Sequence, residues 1–409
     1  MTTELRVLDP AVWDDWYGKL VLAFGGVPEA PEESGLWREL TECERSIGVW
    51  DGDDIVGTAG LFSFRMTVPG GASVAAPGVT MVSVQATHRR RGVLRTMMRR
   101  QLDDVRAAGE PLAVLTASEP DIYGRFGYGI ATRSAYAAID TDRVRLSVPD
   151  GAGEVTLREV APADAVERCE AVYARLVPTR PGLLERLPGW ERLPVLDPPG
   201  EREGASPLRC VLAESGGEVT GYARFAIKPD WDLAGPKGTV VLRDLEALDP
   251  ASYAALWRFL FEIDLTSVLR TGGRPVDDPW QYLVSDIRRC QVRVKDALHV
   301  RLVDVGAALQ ARAYTAPLDV VLEVDDPFCP WNEGRWRLTG DAKGASCART
   351  SDAPDLRLGV RELGAAYLGG VSLTALAGAG LVREVREGAL EAASAAFLGT
   401  RTPWLPHGF

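Results

Sequence analysis

Between Val82 and Leu102 the chain reads VSVQATHRRRGVLRTMMRRQL, so that Arg89, Arg90, Arg91 and Arg95 surround a single glycine, Gly92. The residues before this turn alternate like a strand. Those after it place Val93, Leu94, Met97, Met98, Leu102 and Val105 on one helical face. A helix start offers free N–H groups and the positive end of the helix dipole to a phosphate, and glycine lets a ligand approach the backbone closely. The stretch suits a pyrophosphate cradle, although a solvated basic helix start has the same composition. The order strand, Arg-x-x-Gly, amphipathic helix favours the cradle. A second run, ASEPDIYGRFGYG from Ala117 to Gly129, follows the apolar strand PLAVLTAS at 111–118. A tyrosine phenol stays protonated at neutral pH and can supply a proton. Tyr123 and Tyr128 each read equally as core aromatics beside glycines; the position of Tyr123 just after the Ser118-Glu119 strand end singles it out.

Other chemistries find little support. Cys43, Cys169, Cys210, Cys290, Cys329 and Cys347 show no CxxC spacing, and the three histidines, His88, His299 and His407, form no HExxH. No metal is therefore expected, and a reduced, cytoplasmic chain is the simplest reading. With 46 Lys and Arg against 57 Asp and Glu the net charge is −11, the wrong sign for neutralising nucleic-acid phosphates or an anionic membrane. That sign suits cationic ligands, and equally it serves solubility alone. The start MTTELRVLDP has no secretory pattern. The uncharged run from Leu363 to Val382 carries five glycines and little Leu, Ile or Phe, so it reads as two buried helices joined at Gly369-Gly370 rather than a membrane span.

The 409 residues divide into three segments. The first, 1–145, opens with a helix from Pro10 to the stop at Gly25-Gly26. A hairpin follows (SIGVW, a DGDD turn, IVGTAGLFSFRMTV at 55–68), then the strand GVTMVSVQA at 78–86. The second, 146–298, repeats that order: VTLREV, a helix through Cys169 and Tyr173, the hairpin ESGGEVTGYARFAI, and TVVLRDLEAL. Here the strand runs into Asp249-Pro250, a capped helix start without the glycine-basic turn. The third, 299–409, alternates strands, a hairpin and glycine-rich helices, and ends in the tail RTPWLPHGF, for which docking and fraying are equally expected.

With these motifs the chain resembles the GNAT acetyltransferases, whose signature is Arg/Gln-x-x-Gly-x-Gly/Ala; Leu94 stands here at the small-residue position. Over its full length it is similar to the Eis (enhanced intracellular survival) family, which shows both THRRRG and ASE-x-x-IYGRFGYG and ends in an aromatic residue. The resemblance implies an α/β (α+β) fold with two tandem GNAT domains on mixed sheets, the second without a working CoA loop, and a C-terminal domain similar to sterol carrier proteins. It implies an acetyl-CoA-dependent N-acetyltransferase acting on primary amines of polycationic small molecules, aminoglycosides included, at one or several positions. It also implies a homohexamer built as a dimer of trimers and a link to antibiotic resistance. Carried over by motif, Tyr123 is the general acid and the C-terminal carboxylate of Phe409 the base; His407, to which the motif assigns no role, is a second-ranked base of better matched reference pKa. Val82, Val84, Arg89, Arg90, Gly92, Val93, Leu94, Arg95, Ser118 and Glu119 would line the CoA site. Phe24, Trp37 and Met81 are candidate acceptor walls or plain core. The penultimate residue, acidic in mycobacterial relatives, is Gly408 here. The alternatives are a protein-lysine acetyltransferase and a hydrophobic-ligand carrier with degenerate GNAT halves.

Overall fold

The computed structural model describes residues 3–409. They form two compact units: the chain up to Thr132 with Arg180–Glu185 and Asp296–Phe409, and a second made of Arg133–Thr179 and Arg186–Lys295.

In the first unit, a seven-stranded sheet runs in the order Glu4–Val7, Ile47–Asp51, Asp54–Phe62, Gly78–Val84, Leu112–Thr116, Leu298–Leu302, Gly129–Ile130. The strand that opens the third expected segment therefore lies inside the first sheet, hydrogen-bonded antiparallel to 112–116 on one side and to 129–130 on the other. The hairpin expected through 55–68 stops at Phe62. A separate short strand, Arg65–Thr67, pairs with Ser73–Ala75. Strand 54–62 is buried at every position after Asp54, because the helix Trp13–Ala23 covers one face and the helix Val93–Ala107 the other. Gly57 allows the second of these contacts: a Cβ there would lie 2.9 Å from Val93 Cγ1.

The same unit holds a five-stranded sheet, Gly344–Arg349, Gly334–Asp341, Leu318–Asp325, Leu356–Gly359, Val382–Glu384. The uncharged run contains the C-terminal part of the helix Val360–Ala366 and the helix Leu373–Gly378, separated across Gly369-Gly370 as expected from its glycines. The final helix is Ala389–Phe397, and the tail beyond it is docked. Trp404 and Leu405 are buried, and the Trp404 amide donates to the Pro181 carbonyl at 2.9 Å.

The second unit has a six-stranded sheet, Ala138–Asp140, Thr266–Thr271, Gly238–Ala247, Glu218–Lys228, Arg209–Ser215, Thr156–Val160, with the helices Pro162–Leu176 and Pro250–Phe261. Its core centres on the stacked Trp257 and Trp280. Among the described residues no helix is long and apolar enough to cross a membrane.

Candidate active site

The site is built where two parallel strands of the first sheet part company. Strand 78–84 pairs with strand 112–116 at one position only, Gly78 with Val114. Beyond it, the edge of 79–84 that faces 112–116 has no ladder partner, so its backbone amides and carbonyls are available to an extended ligand. On the opposite edge, pairing with strand 54–62 passes from Thr58–Ser83 to Gly60–Thr80, leaving one extra residue on the 78–84 side. That bulge holds Met81 in the left-handed region at φ 51. Buried polar groups satisfy the atoms it frees. Thr58 Oγ1 donates to the Met81 carbonyl at 2.8 Å and lies 2.7 Å from Ser83 Oγ, while Gln101 Nε2 donates to the Gly60 carbonyl at 2.9 Å. The bulge aims consecutive side chains at different surroundings: Met81 packs against the cluster built on Trp13, Trp16 and Tyr17, and Val82 against the one built on Leu61, Val79 and Met98, which Tyr123 also joins.

From Val84 the chain passes a short turn, Ala86–His88, to the four basic residues. Arg90 sits at φ 62 and Gly92 at φ 86, both left-handed, and Gly92 is the N-cap of the helix Val93–Ala107. No side chain caps this helix start, so its first amides face the exposed Arg89-Arg90-Arg91-Gly92 turn without an internal acceptor. Val93 is buried as an anchor and Leu94 half-buried against Val82 and Val84. Arg95 is exposed, its guanidinium 5.3 Å from the Phe328 ring centre.

Strand 112–116 delivers Ser118 and Glu119, both exposed, to the single helical turn Pro120–Tyr123. The Tyr123 ring meets Tyr128 edge-on at 6.1 Å, and its hydroxyl makes no hydrogen bond to the described residues. Burial, and after it the Glu119 carboxylate, pushes the Tyr123 phenol up to about 12. It is therefore fully protonated near neutral pH, with its O–H uncommitted. Tyr128 is wholly buried, with no partner for its hydroxyl.

The C-terminus arrives at the other end of the same strand. The Phe409 ring meets Phe64 at 5.0 Å, and a Cβ on Gly78 would lie 2.7 Å from the Phe64 ring and 2.8 Å from Phe409. Phe64 lies 5.6 Å from Phe62, and Phe62 stacks at 6.4 Å on Trp37. A row of aromatic rings thus joins Trp37 to the last residue of the chain. Trp37 Nε1 donates to Glu33 at 3.4 Å, and Tyr17 donates to Glu29 at 2.5 Å, so carboxylates border this aromatic side. Burial, then Glu29 and Glu33, pushes the Tyr17 phenol well up. His407 is half-buried, its Nδ1 3.2 Å from the Gly408 carbonyl oxygen.

Of the residues expected at a site, Val82, Val84, Arg89, Arg90, Gly92, Val93, Leu94, Ser118, Glu119 and Tyr123 therefore gather at the ends of two neighbouring strands and the helix between them. Arg95 lies one turn further along that helix. Trp37 and Met81 share the neighbouring aromatic cluster, which reaches Phe409 through Phe62 and Phe64. Phe24 stands apart, 62% exposed just past the end of the helix Trp13–Ala23. Sequence reasoning missed Thr58 and Gln101, which carry no motif, and Phe62 and Phe64, which read only as strand residues. The FSF pattern at 62–64 was the available signal.

Known proteins are similar to this chain in sequence and in fold. Two models described as an acetyltransferase (GNAT) domain match residues 4–131 and 182–302, and one described as a sterol carrier protein domain matches 305–406. An uncharacterized N-acetyltransferase of Streptomyces avermitilis is 69% identical over 409 residues, covering 100% of both chains. The N-acetyltransferase Eis of Mycobacterium tuberculosis is 32% identical over 403 residues, 94% of each chain. The crystal structure of Eis1 from Mycobacterium abscessus superposes with a TM-score of 0.84 at 34% identity, covering 100% of both chains.

Proposed function

This chain belongs to the Eis family of GNAT N-acetyltransferases, and from that premise we propose that it transfers acetyl from acetyl-CoA to primary amines of polycationic small molecules such as aminoglycosides. The observation that carries the reading is the strand pair that parts after Gly78–Val114 and leads, through an uncapped glycine helix start, to the free hydroxyl of Tyr123. The pantetheine arm would take the place of the missing strand partner along 79–84, meeting backbone at Val82 and Val84. The pyrophosphate would lie on the amides of Val93 and Leu94, flanked by Arg89, Arg90 and Arg95. Ser118 and Glu119 would border the arm from the other strand.

In the reaction the amine nitrogen attacks the thioester carbonyl carbon, the C–N bond forms and the C–S bond breaks. The Phe409 carboxylate, or His407 beside it, accepts the proton lost by nitrogen. Tyr123 donates to the departing sulfur and is reprotonated from solvent. The phenol, pushed up to about 12, is a weaker acid than a thiol, whose reference value is about 8.5, so full transfer even to the free thiolate is uphill. Tyr123 therefore acts mainly by hydrogen-bonding the developing thiolate, with the proton delivered late. Glu29 and Glu33, beside Tyr17 and Trp37, supply the negative charge a polyamine acceptor needs. Phe24, exposed past the end of the helix and apart from this cluster, takes no part in this reading of the acceptor site. We place the enzyme in the cytoplasm and expect a homohexamer, to be checked by sedimentation equilibrium.

A hydrophobic-ligand carrier is disfavoured by the interior of the sterol-carrier-like domain. There the buried Arg312 guanidinium donates to the Tyr367 and Phe397 carbonyls, with the rings of Tyr314 and Phe397 centred 4.6 and 4.7 Å away. An ion filling the middle of the domain is a poor neighbour for a lipid tail. The test is CoA release from acetyl-CoA with a panel of aminoglycosides, comparing untagged protein with Tyr123→Phe and with Phe409 deleted. Acceptor-dependent release that falls steeply in both variants supports the reading. Acetyl-CoA binding without acceptor-dependent release overturns the aminoglycoside assignment and moves protein lysines to the front.

A further inference from the structure

The turn that carries Tyr123 is held by residues that follow it by more than 170 positions. Gly127, at φ +86, lies so close to Arg301 that a Cβ on it would be 2.8 Å from both Cζ and Nε of the guanidinium. Arg301 is fully buried. It donates from Nη2 to both oxygens of Asp326, at 2.8 and 2.7 Å, and from Nη1 to the Leu302 carbonyl at 2.9 Å. Asp326, also fully buried, accepts further from the Cys329 amide at 3.0 Å and from Asn332 Nδ2 at 2.9 Å. The guanidinium is thus held by its own hydrogen bonds, and its position against the Gly127 backbone is fixed by them.

The contacts around it act on the same turn. Phe126 meets Phe328 edge-on at 5.0 Å. A Cβ on Gly129 would lie 2.1 Å from the Arg361 carbonyl oxygen, so the helix Val360–Ala366 rests directly on the backbone there. Within the turn, the Tyr128 amide donates to the Tyr123 carbonyl at 3.3 Å, and the Tyr128 ring backs the Tyr123 ring. Among the described residues no hydrogen bond orients the Tyr123 hydroxyl, so its direction comes from packing, on the Tyr128 ring and on the core cluster around it. A general acid gains its effect from being held within hydrogen-bond reach of the leaving atom, and a displacement of about 1 Å is enough to lose much of it.

We infer that Arg301 and Asp326 are positioning residues for the reaction: through Gly127 and Tyr128 they aim the Tyr123 hydroxyl at the opening between the strands. The inference rests on the proposed role of Tyr123 as proton donor. It also accounts for the spacing of GRFGYG, whose last two glycines admit a guanidinium and a helix backbone at contact distance.

The test is a double-mutant cycle on the full, untagged chain with acetyl-CoA and an aminoglycoside, reading kcat, KM for acetyl-CoA and folded fraction by circular dichroism. Arg301→Lys keeps the charge and loses the two-point contact. We expect kcat to fall 10- to 100-fold with KM for acetyl-CoA within threefold. In a Tyr123→Phe background the same change should cost less than twofold, because both then act on one step. If Arg301→Lys does not fold, Gly127→Ala takes its place in the same cycle. Losses that multiply in the Tyr123→Phe background, or a kcat within twofold of the parent, overturn the positioning role while leaving Tyr123 as donor intact. A Tyr123→Phe enzyme with undiminished kcat overturns the donor reading itself, and the positioning role with it.

Discussion

The two GNAT halves share an order of elements and differ at one junction. In the first, the parallel strands 78–84 and 112–116 pair once and separate. In the second, strands 238–247 and 266–271 stay paired over five positions, from Gly238–Thr266 to Leu242–Thr271. The helix that follows differs in the same sense. Gly92 leaves the first helix start uncapped, whereas Asp249 caps the second, accepting from the Ser252 amide and hydroxyl at 2.8 Å each. Beyond Leu242 the second strand's edge is partly taken up by Arg274, whose Nη1 donates to the Leu245 carbonyl at 2.7 Å, and a carboxylate on the first helical turn both occupies the free amides and repels phosphate. On the proposed reading, the capacity to bind acetyl-CoA resides in this junction, and the rest of the fold persists without it.

The comparison can be broken most severely by silencing the chemistry of the first half. Tyr123→Phe should lower kcat about 100-fold or more, the usual weight of a general acid, with acetyl-CoA binding retained by calorimetry. Because the Tyr123 phenol is pushed up to about 12, the parent enzyme should show no alkaline loss of kcat from this group between pH 7 and 10. A descending limb near pH 8 assigned to Tyr123 by its absence in the variant would contradict the buried-phenol picture.

Next in size, Gly92→Asp gives the first helix the cap of the second. It places a carboxylate at the phosphate position and a side chain at φ 86, and the affinity for acetyl-CoA should fall roughly tenfold, on the scale of a dipole-and-charge term of about 1–2 kcal/mol. Unchanged binding would mean the turn is only a solvated helix start. A smaller effect is expected from Gly78→Ala, whose methyl meets both Phe64 and Phe409. It should lower kcat/KM for the amine several-fold through displacement of the C-terminal residue, with KM for acetyl-CoA held. The reciprocal change in the second half, Asp249→Ala, should cost only about 1 kcal/mol of stability in urea, as lost caps do. It should leave acetyl transfer untouched, and an effect on turnover would show that the second half reaches the chemistry.

The features legible from residues alone were those that neighbours in sequence impose. THRRRG between a strand and an amphipathic helix specifies a basic turn at a helix start, because periodicity and one obligatory left-handed glycine are local properties. The Asp249-Pro250 cap was equally readable, as was the break of the apolar run at Gly369-Gly370. Met81 was not, since nothing in its side chain announces a left-handed bulge; that conformation follows from the register between two strands and from Thr58 and Gln101 satisfying the atoms it frees. The strand Leu298–Leu302 was visible as a strand, but its place between 112–116 and 129–130 was not, because pairing across such a separation leaves no trace in either partner alone. The tail showed the same limit. Its aromatic residues made docking as much expected as fraying without naming a partner, and Phe64 and Gly78 supply one.

By itself, then, the sequence showed the kinds of group on offer: a basic glycine turn at a helix start, a tyrosine just after a strand end, and a tail rich in aromatic residues. Tertiary structure decided whether these meet. It parted one strand pair after a single position and the other after five, turned Met81 and Val82 to different surroundings, and pressed a buried Arg301–Asp326 pair against the turn that holds Tyr123. The physical reason is that local preferences act through torsions and nearest neighbours, whereas the free energy of a site comes from desolvated contacts between segments that only the packed chain brings together.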